Sequence, residues 1–255
     1  ELVLQVVSVS SPVLSFLVLQ FASLHLTLLL DALTFFLAFV LVALLPKEEP
    51  MVQDKKLFTG KDIFADIKDG LHYIWHQKEI FFLLLVASSV NFFFAAFEFL
   101  LPFSNKLYGV EGAYATILTM GAIGSIIGAL IANKFKSSMN TLLFLLILTG
   151  VGVFMMGLPL PNILTFSGNL ICELFMTIFN IHFFTQVQTK IDGEYLGRVL
   201  STIFTLAILF MPLAKGLMTF LPSVHLYSFL IIGLGVVALS FLALGYVRTH
   251  FEKET

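Results

Sequence analysis

Four residues in one apolar stretch carry the first chemical question. Asn169, Glu173, Thr177 and Asn180 lie in NLICELFMTIFN, where nearly everything else suits hydrocarbon. At the helical spacing of 100° per residue they fall within about 80° of one another. A second stripe of similar width runs through the stretch from residue 80 to 103, at Ser88, Asn91, Ala95 and Glu98. An ionisable side chain at the centre of a bilayer costs several kcal/mol and normally faces a bundle interior or a wet cavity. The stripes therefore predict a cavity wall, with Glu173, Asn169, Thr177, Asn180, Asn91, Ser88 and Glu98 handling substrate or protons. Glu173 is about ten residues from the outer end of its span, or roughly 15 Å deep at the helical rise. Two roles are open for it. As a functional group it exchanges a proton as the cavity opens, and attracts a cationic compound when ionised. As a structural group it is a neutral carboxyl in an interhelical hydrogen bond.

Other polar residues in apolar surroundings are fewer. Lys215, just after Pro212, lies at a depth similar to Glu98. The two predict an outer-gate ion pair, or else each reaches separately to water. His182 is a candidate for a proton path or a packed residue. Gln186 and Gln188 cap or line the cytoplasmic end. Phe92, Phe94 and Phe97 suit lipid contact and helix packing, with room for one or two to stack on a planar ligand. The single cysteine, Cys172, excludes a disulfide framework and a cysteine-based metal site within the chain. No metal site, cofactor site or soluble catalytic constellation is legible, so the chain does not read as an enzyme. No basic patch for nucleic acid occurs. Gly60-Lys61 lacks the upstream glycine and following hydroxyl of a nucleotide-binding loop.

The elements that must position these residues are membrane spans. Of the 255 residues, 58% are apolar and 12% charged, and 29 are Phe. A soluble domain of this size needs more polar surface. A spanning helix takes roughly 20 apolar residues, and eight stretches qualify: 2–20, 24–45, 80–103, 112–133, 140–158, 163–187, 199–221 and 224–247. The runs lack the period-two alternation of a membrane barrel. Basic residues set the orientation. With the 46–79 loop inside, 12 of the 14 Lys and Arg are cytoplasmic, leaving Lys106 outside and Lys215 within a span. The C-terminus is then cytoplasmic too. Asp62 to Trp75 (DIFADIKDGLHYIW) reads as an amphipathic helix, with Ile63, Phe64, Ile67, Leu71, Ile74 and Trp75 on one side. It suits either the cytoplasmic interface, with Trp75 at headgroup level, or packing on the bundle as a linker helix. The resulting division is 1–45, two helices; 46–79, a cytoplasmic loop; 80–248, six helices; and 249–255, a tail.

Small residues recur at three- and four-residue steps at Gly121, Gly124, Ser125, Gly128 and Ala132, and again at Ser8, Ser11 and Ser15. Such faces let helix backbones approach closely in lipid. Four stretches then become familiar: LQVVSVSSPVL (4–14), with Ser11-Pro12; LLLDALTFFLA (28–38); DIKDGLHYIW (66–75); and EYLGRVLS (194–201), with Gly197 and Arg198. In this order the chain resembles the major facilitator superfamily, in the bacterial drug-efflux branch that includes macrolide-efflux proteins. The four stretches are similar to its fifth helix, sixth helix, central loop and the cytoplasmic turn before the eleventh helix. The chain departs from the family in having serines for the usual glycines of the fifth helix. It also has Asn133 where the loop after the eighth helix usually carries an acid.

The resemblance implies an all-α integral membrane fold whose first four helices precede this chain. Glu1 in place of Met, with no cleavable signal, fits a fragment. The resemblance places Glu173 and Asn91 on the cavity-lining tenth and seventh helices. It makes Ser11, Pro12, Gly121, Gly124 and Gly128 a seam between the two halves. It implies an exporter of small amphipathic compounds in the cytoplasmic membrane. That exporter is proton-coupled, works by alternating access, and is completed by the missing helices. Two other readings stay open: a truncated remnant that does not transport, and a membrane subunit served by a separate ATPase.

Overall fold

The computed structural model describes residues 24–44, 68, 73–220 and 224–250, and every regular element among them is helical. In hydrocarbon each backbone N–H and C=O must be paired within the protein, which a helix achieves by itself. The elements are α1 (Leu24–Leu44), α2 (Lys78–Leu100), α3 (Ser104–Tyr108), α4 (Ala113–Ile131), α5 (Met139–Met156), α6 (Asn162–Lys190), α7 (Gly193–Thr219) and α8 (Tyr227–His250). Six described helices, those from α2 and from α4 to α8, are long and apolar enough to cross a membrane. The expected first span, and most of the expected amphipathic helix at 62–75, lie outside the described residues. At the end of that segment Ile74 is fully buried while Trp75 is 63% exposed, so the two do not share one environment.

Local sequence explains where the helices stop. Ser138 Oγ accepts a hydrogen bond from the Thr141 N–H at 3.2 Å and caps α5. Gly109, with φ of 64°, closes α3 in the left-handed conformation open to a residue without Cβ. Pro161 leads into α6 at a position where an N–H is not needed. Pro212 lies inside α7, and the helix continues past it. One boundary corrects the sequence reading. The 194–201 stretch, expected as a turn, forms the first two turns of α7, which begins at Gly193.

The helices pack in the order α4, α6, α5, α8, α2, α7. Exchanging the first three spanning helices (α2, α4, α5) for the last three (α6, α7, α8) reproduces this pattern. The α4–α6 contact becomes α7–α2, α5–α6 becomes α8–α2, and α5–α8 maps onto itself. Two apolar cores result, one at each end of the bundle. Ile80, Leu142, Phe183, Val199 and Val247 belong to the core at the lysine-rich end. Leu100, Ile117, Met156, Phe166 and Phe229 belong to the other. The outside stays apolar, as at Leu130, Phe241 and Leu242. Nearly every described side chain of α1 is exposed, Phe35 and Phe39 among them. Apolar surface on that scale requires lipid or protein cover.

Candidate functional site

The polar stripe of α6 divides between two neighbours. Its first half enters a tight seam with α4. A Cβ on Gly124 would lie 2.2 Å from the Leu170 carbonyl oxygen, and one on Gly128 would lie 2.4 Å from that of Leu174. At Gly121 a Cβ would meet Asn169 Nδ2 at 2.4 Å and Glu173 Cγ at 3.0 Å. The glycines are what let these two polar side chains fit between the helices. Asn169 is buried, and its Nδ2 donates to the Ile117 carbonyl at 2.8 Å. Among the described residues its Oδ1 has no hydrogen-bond partner. Ser125 Oγ donates to Glu173 Oε2 at 3.3 Å. The face of Gly121, Gly124 and Gly128 is filled by α6, within the six-helix unit. Ser11 and Pro12, expected opposite them, lie outside the described residues.

The second half of the stripe lines an open cavity of about 610 Å³ between α2, α6 and α7. Thr177 and Asn180 contribute from α6 and Asn91 from α2, joined by Thr185 and Gln188. The other lining residues are apolar, and none of the set is ionisable. Of the remaining expected cavity residues, Ser88 is buried, has no partner for its hydroxyl among the described residues, and does not line this space. Asn169 and Glu173 do not line it either. The physical reason is that a stripe about 80° wide on a helix with neighbours on two sides is shared between them.

Charged groups tie α2 at both ends. Glu98 Oε2 lies 3.0 Å from Lys215 Nζ of α7, and Glu79 pairs with Lys190 at the end of α6. Beside the second pair, Tyr73 Oη donates to Asp192 Oδ2 at 2.9 Å and its ring stacks on Tyr195 at 4.6 Å. These contacts join residues more than a hundred positions apart, and no local spacing announces them. His182 is buried, with Nε2 2.9 Å from the Ala132 carbonyl oxygen at the end of α4. Gly197 and Arg198 are exposed on the first turns of α7, where the Arg198 carbonyl accepts from Thr202 Oγ1 at 2.8 Å.

A family model described as Major Facilitator Superfamily matches residues 1–207. The chain belongs to that superfamily. It is 27% identical to macrolide efflux protein A of Streptococcus pyogenes over 214 residues, covering 80% of this chain and 51% of the relative. It is 28% identical to macrolide efflux protein A of Enterococcus faecalis over 186 residues, covering 68% of this chain and 55% of the relative. The chain thus spans about half the length of the curated relatives it matches. No solved structure matches it.

Membership of the major facilitator superfamily gives the packing pattern its meaning. A six-helix half in that superfamily is a nested pair of three-helix inverted repeats, and α2, α4, α5 against α6, α7, α8 follows that scheme. This protein is a multi-pass membrane protein of the superfamily, with Glu173 and the cavity in one six-helix unit. Cavity residues such as Thr185 lay on no stripe that stood out in the sequence. Their hydroxyls can bond to their own helix, as Thr185 does to the Ile181 carbonyl at 2.7 Å, so they blend into an apolar run.

Proposed function

We propose that the chain forms the cavity-bearing part of a secondary transporter that exports small amphipathic compounds, macrolide-like ones among them, across the cytoplasmic membrane. The lysine-rich end faces the cytoplasm, as the distribution of Lys and Arg favours. The unit moves against the remaining helices of the transporter in alternating access, and export is driven by protons. Glu173 is the proton-carrying group, and Glu98 with Lys215 closes the outer side.

One observation carries this reading. Glu173 sits one helical turn from a polar-lined cavity, partly buried, with a serine hydroxyl as its hydrogen-bond partner. The charge of a carboxylate so placed is balanced by no cation within salt-bridge distance among the described residues. A group of this kind takes up and releases a proton at modest cost as its surroundings change.

The test is Glu173→Gln in the full-length transporter, read as efflux against an imposed pH gradient beside thermal stability in detergent. Gln keeps the shape and a hydrogen bond to Ser125 but exchanges no proton. Lost proton-driven efflux with unchanged stability supports the reading. Unchanged efflux removes Glu173 from coupling, and a joint loss of efflux and stability makes it structural.

A further inference from the structure

We propose that the cavity between α2, α6 and α7 recognises its ligand through hydroxyl, ether and carbonyl groups and apolar surface, and does not read a positive charge on it. Glu173 then serves coupling and stands outside the binding contacts. The proposal rests on the reading of the cavity and of Glu173 given above.

Three observations carry it. First, among the described residues that line the cavity none is acidic or basic. A cation left in a partly dehydrated cavity without an anion is strongly disfavoured. Second, the polar groups that do line it are amides and hydroxyls. Asn180 and Gln188 each offer two donors and an acceptor, which match neutral oxygen functions of a ligand. Third, the carboxylate one turn along the same face of α6, Glu173, is not among the residues that line the cavity. Glu173 Oε2 accepts from Ser125 Oγ on α4, and its Cγ packs where a Cβ on Gly121 would lie.

Aromatic faces could replace a carboxylate as a cation's partner. Here the rings are engaged with each other. Phe179 stacks on Phe183 at 5.7 Å, Phe183 meets Phe184 edge-on at 5.3 Å, and Phe184 lies 5.5 Å from Phe204. They form a continuous apolar wall, which suits the hydrocarbon side of an amphipathic ligand.

The experiment uses the full-length transporter and a matched pair of probes. One is an oxygen-rich amphiphile with a tertiary amine, and the other is the same compound with that nitrogen acylated and neutral. Equilibrium dissociation constants are measured for both, without a pH gradient, in the parent protein and in three variants. Asn180→Ala and Gln188→Ala should each weaken both probes by a similar factor of about threefold to tenfold, the worth of one neutral hydrogen bond. Neither side chain is buried, so both variants should fold, which thermal melting checks. Glu173→Gln should leave the ratio of the two constants within about twofold of the parent ratio.

A selective loss of the amine probe in Glu173→Gln, by tenfold or more, would make Glu173 a counter-ion and overturn the proposal. So would binding of both probes unaffected by the Asn180 and Gln188 changes, since recognition would then lie elsewhere. These are binding measurements at equilibrium. Failure of the coupling role appears instead in the efflux assay, and the two outcomes are separable.

Discussion

Lys215 Nζ of α7 lies 3.0 Å from Glu98 Oε2 of α2, an ion pair across 117 residues at the end of the bundle opposite to the lysine-rich one. Each side chain is about half exposed, 45% for Lys215 and 50% for Glu98. An exposed pair of this kind contributes no more than about 1 kcal/mol to stability. Lys215→Ala and Glu98→Gln should therefore leave the melting temperature nearly unchanged. As members of a gate they should each slow efflux several-fold, and the exchange of charges in a Glu98→Lys, Lys215→Glu double variant should restore it. Single variants with parental efflux would leave the pair without a gating role.

Gly124 packs its backbone against that of Leu170. Gly124→Ala should destabilise the protein by about 1–3 kcal/mol or more, because the new methyl meets backbone and not a yielding side chain. Gly216→Ala on α7 is the control. Among the described residues nothing lies within 4 Å of its Cβ position, and alanine favours the helix by about 1 kcal/mol. Thermal melting in one detergent compares the two. A Gly124→Ala protein as stable as the parent would contradict the tight seam.

His182 caps the end of α4 through the Ala132 carbonyl. His182→Leu should lower stability by about 0.5–1.5 kcal/mol, the worth of one hydrogen bond, since the Ala132 carbonyl keeps its bond from the Phe135 N–H at 3.0 Å. His182→Gln, which can still donate, should recover part of it. The pH profile of efflux in His182→Gln should match that of the parent, because this histidine is occupied in packing. A displaced profile would return it to the proton path.

Tyr73 holds the α6–α7 turn by a hydrogen bond and a ring stack. Tyr73→Phe removes the bond to Asp192 and keeps the stack on Tyr195, while Tyr73→Ala removes both. The expected order of stability is parent, then Phe lower by about 0.5–1.5 kcal/mol, then Ala lowest. A Phe variant as unstable as the Ala variant would assign the whole contact to the hydroxyl.

The length of the apolar runs and their punctuation by Pro, Gly and polar joints were enough to place the six described spans to within a few residues. The larger departures were at the lysine-rich end, where α7 starts at Gly193 and α6 continues to Lys190. Those turns are too polar to count as membrane span, yet nothing in them breaks a helix. Periodicity likewise put Asn169, Glu173, Thr177 and Asn180 on one face, because the helical repeat alone fixes which residues share a direction. What lies opposite that face is a property of the packed bundle. Only the tertiary structure separated Glu173, seated on Ser125 in the α4 seam, from Thr177 and Asn180 on the cavity wall. It also showed that the glycines of α4 admit the backbone of α6, since a small-residue stripe shows that a backbone comes close but not whose. The pairing of Glu79 with Lys190 was hidden for the same reason. The two residues meet because α2 and α6 end at the same face of the bundle, and that is decided by how six helices fill space together.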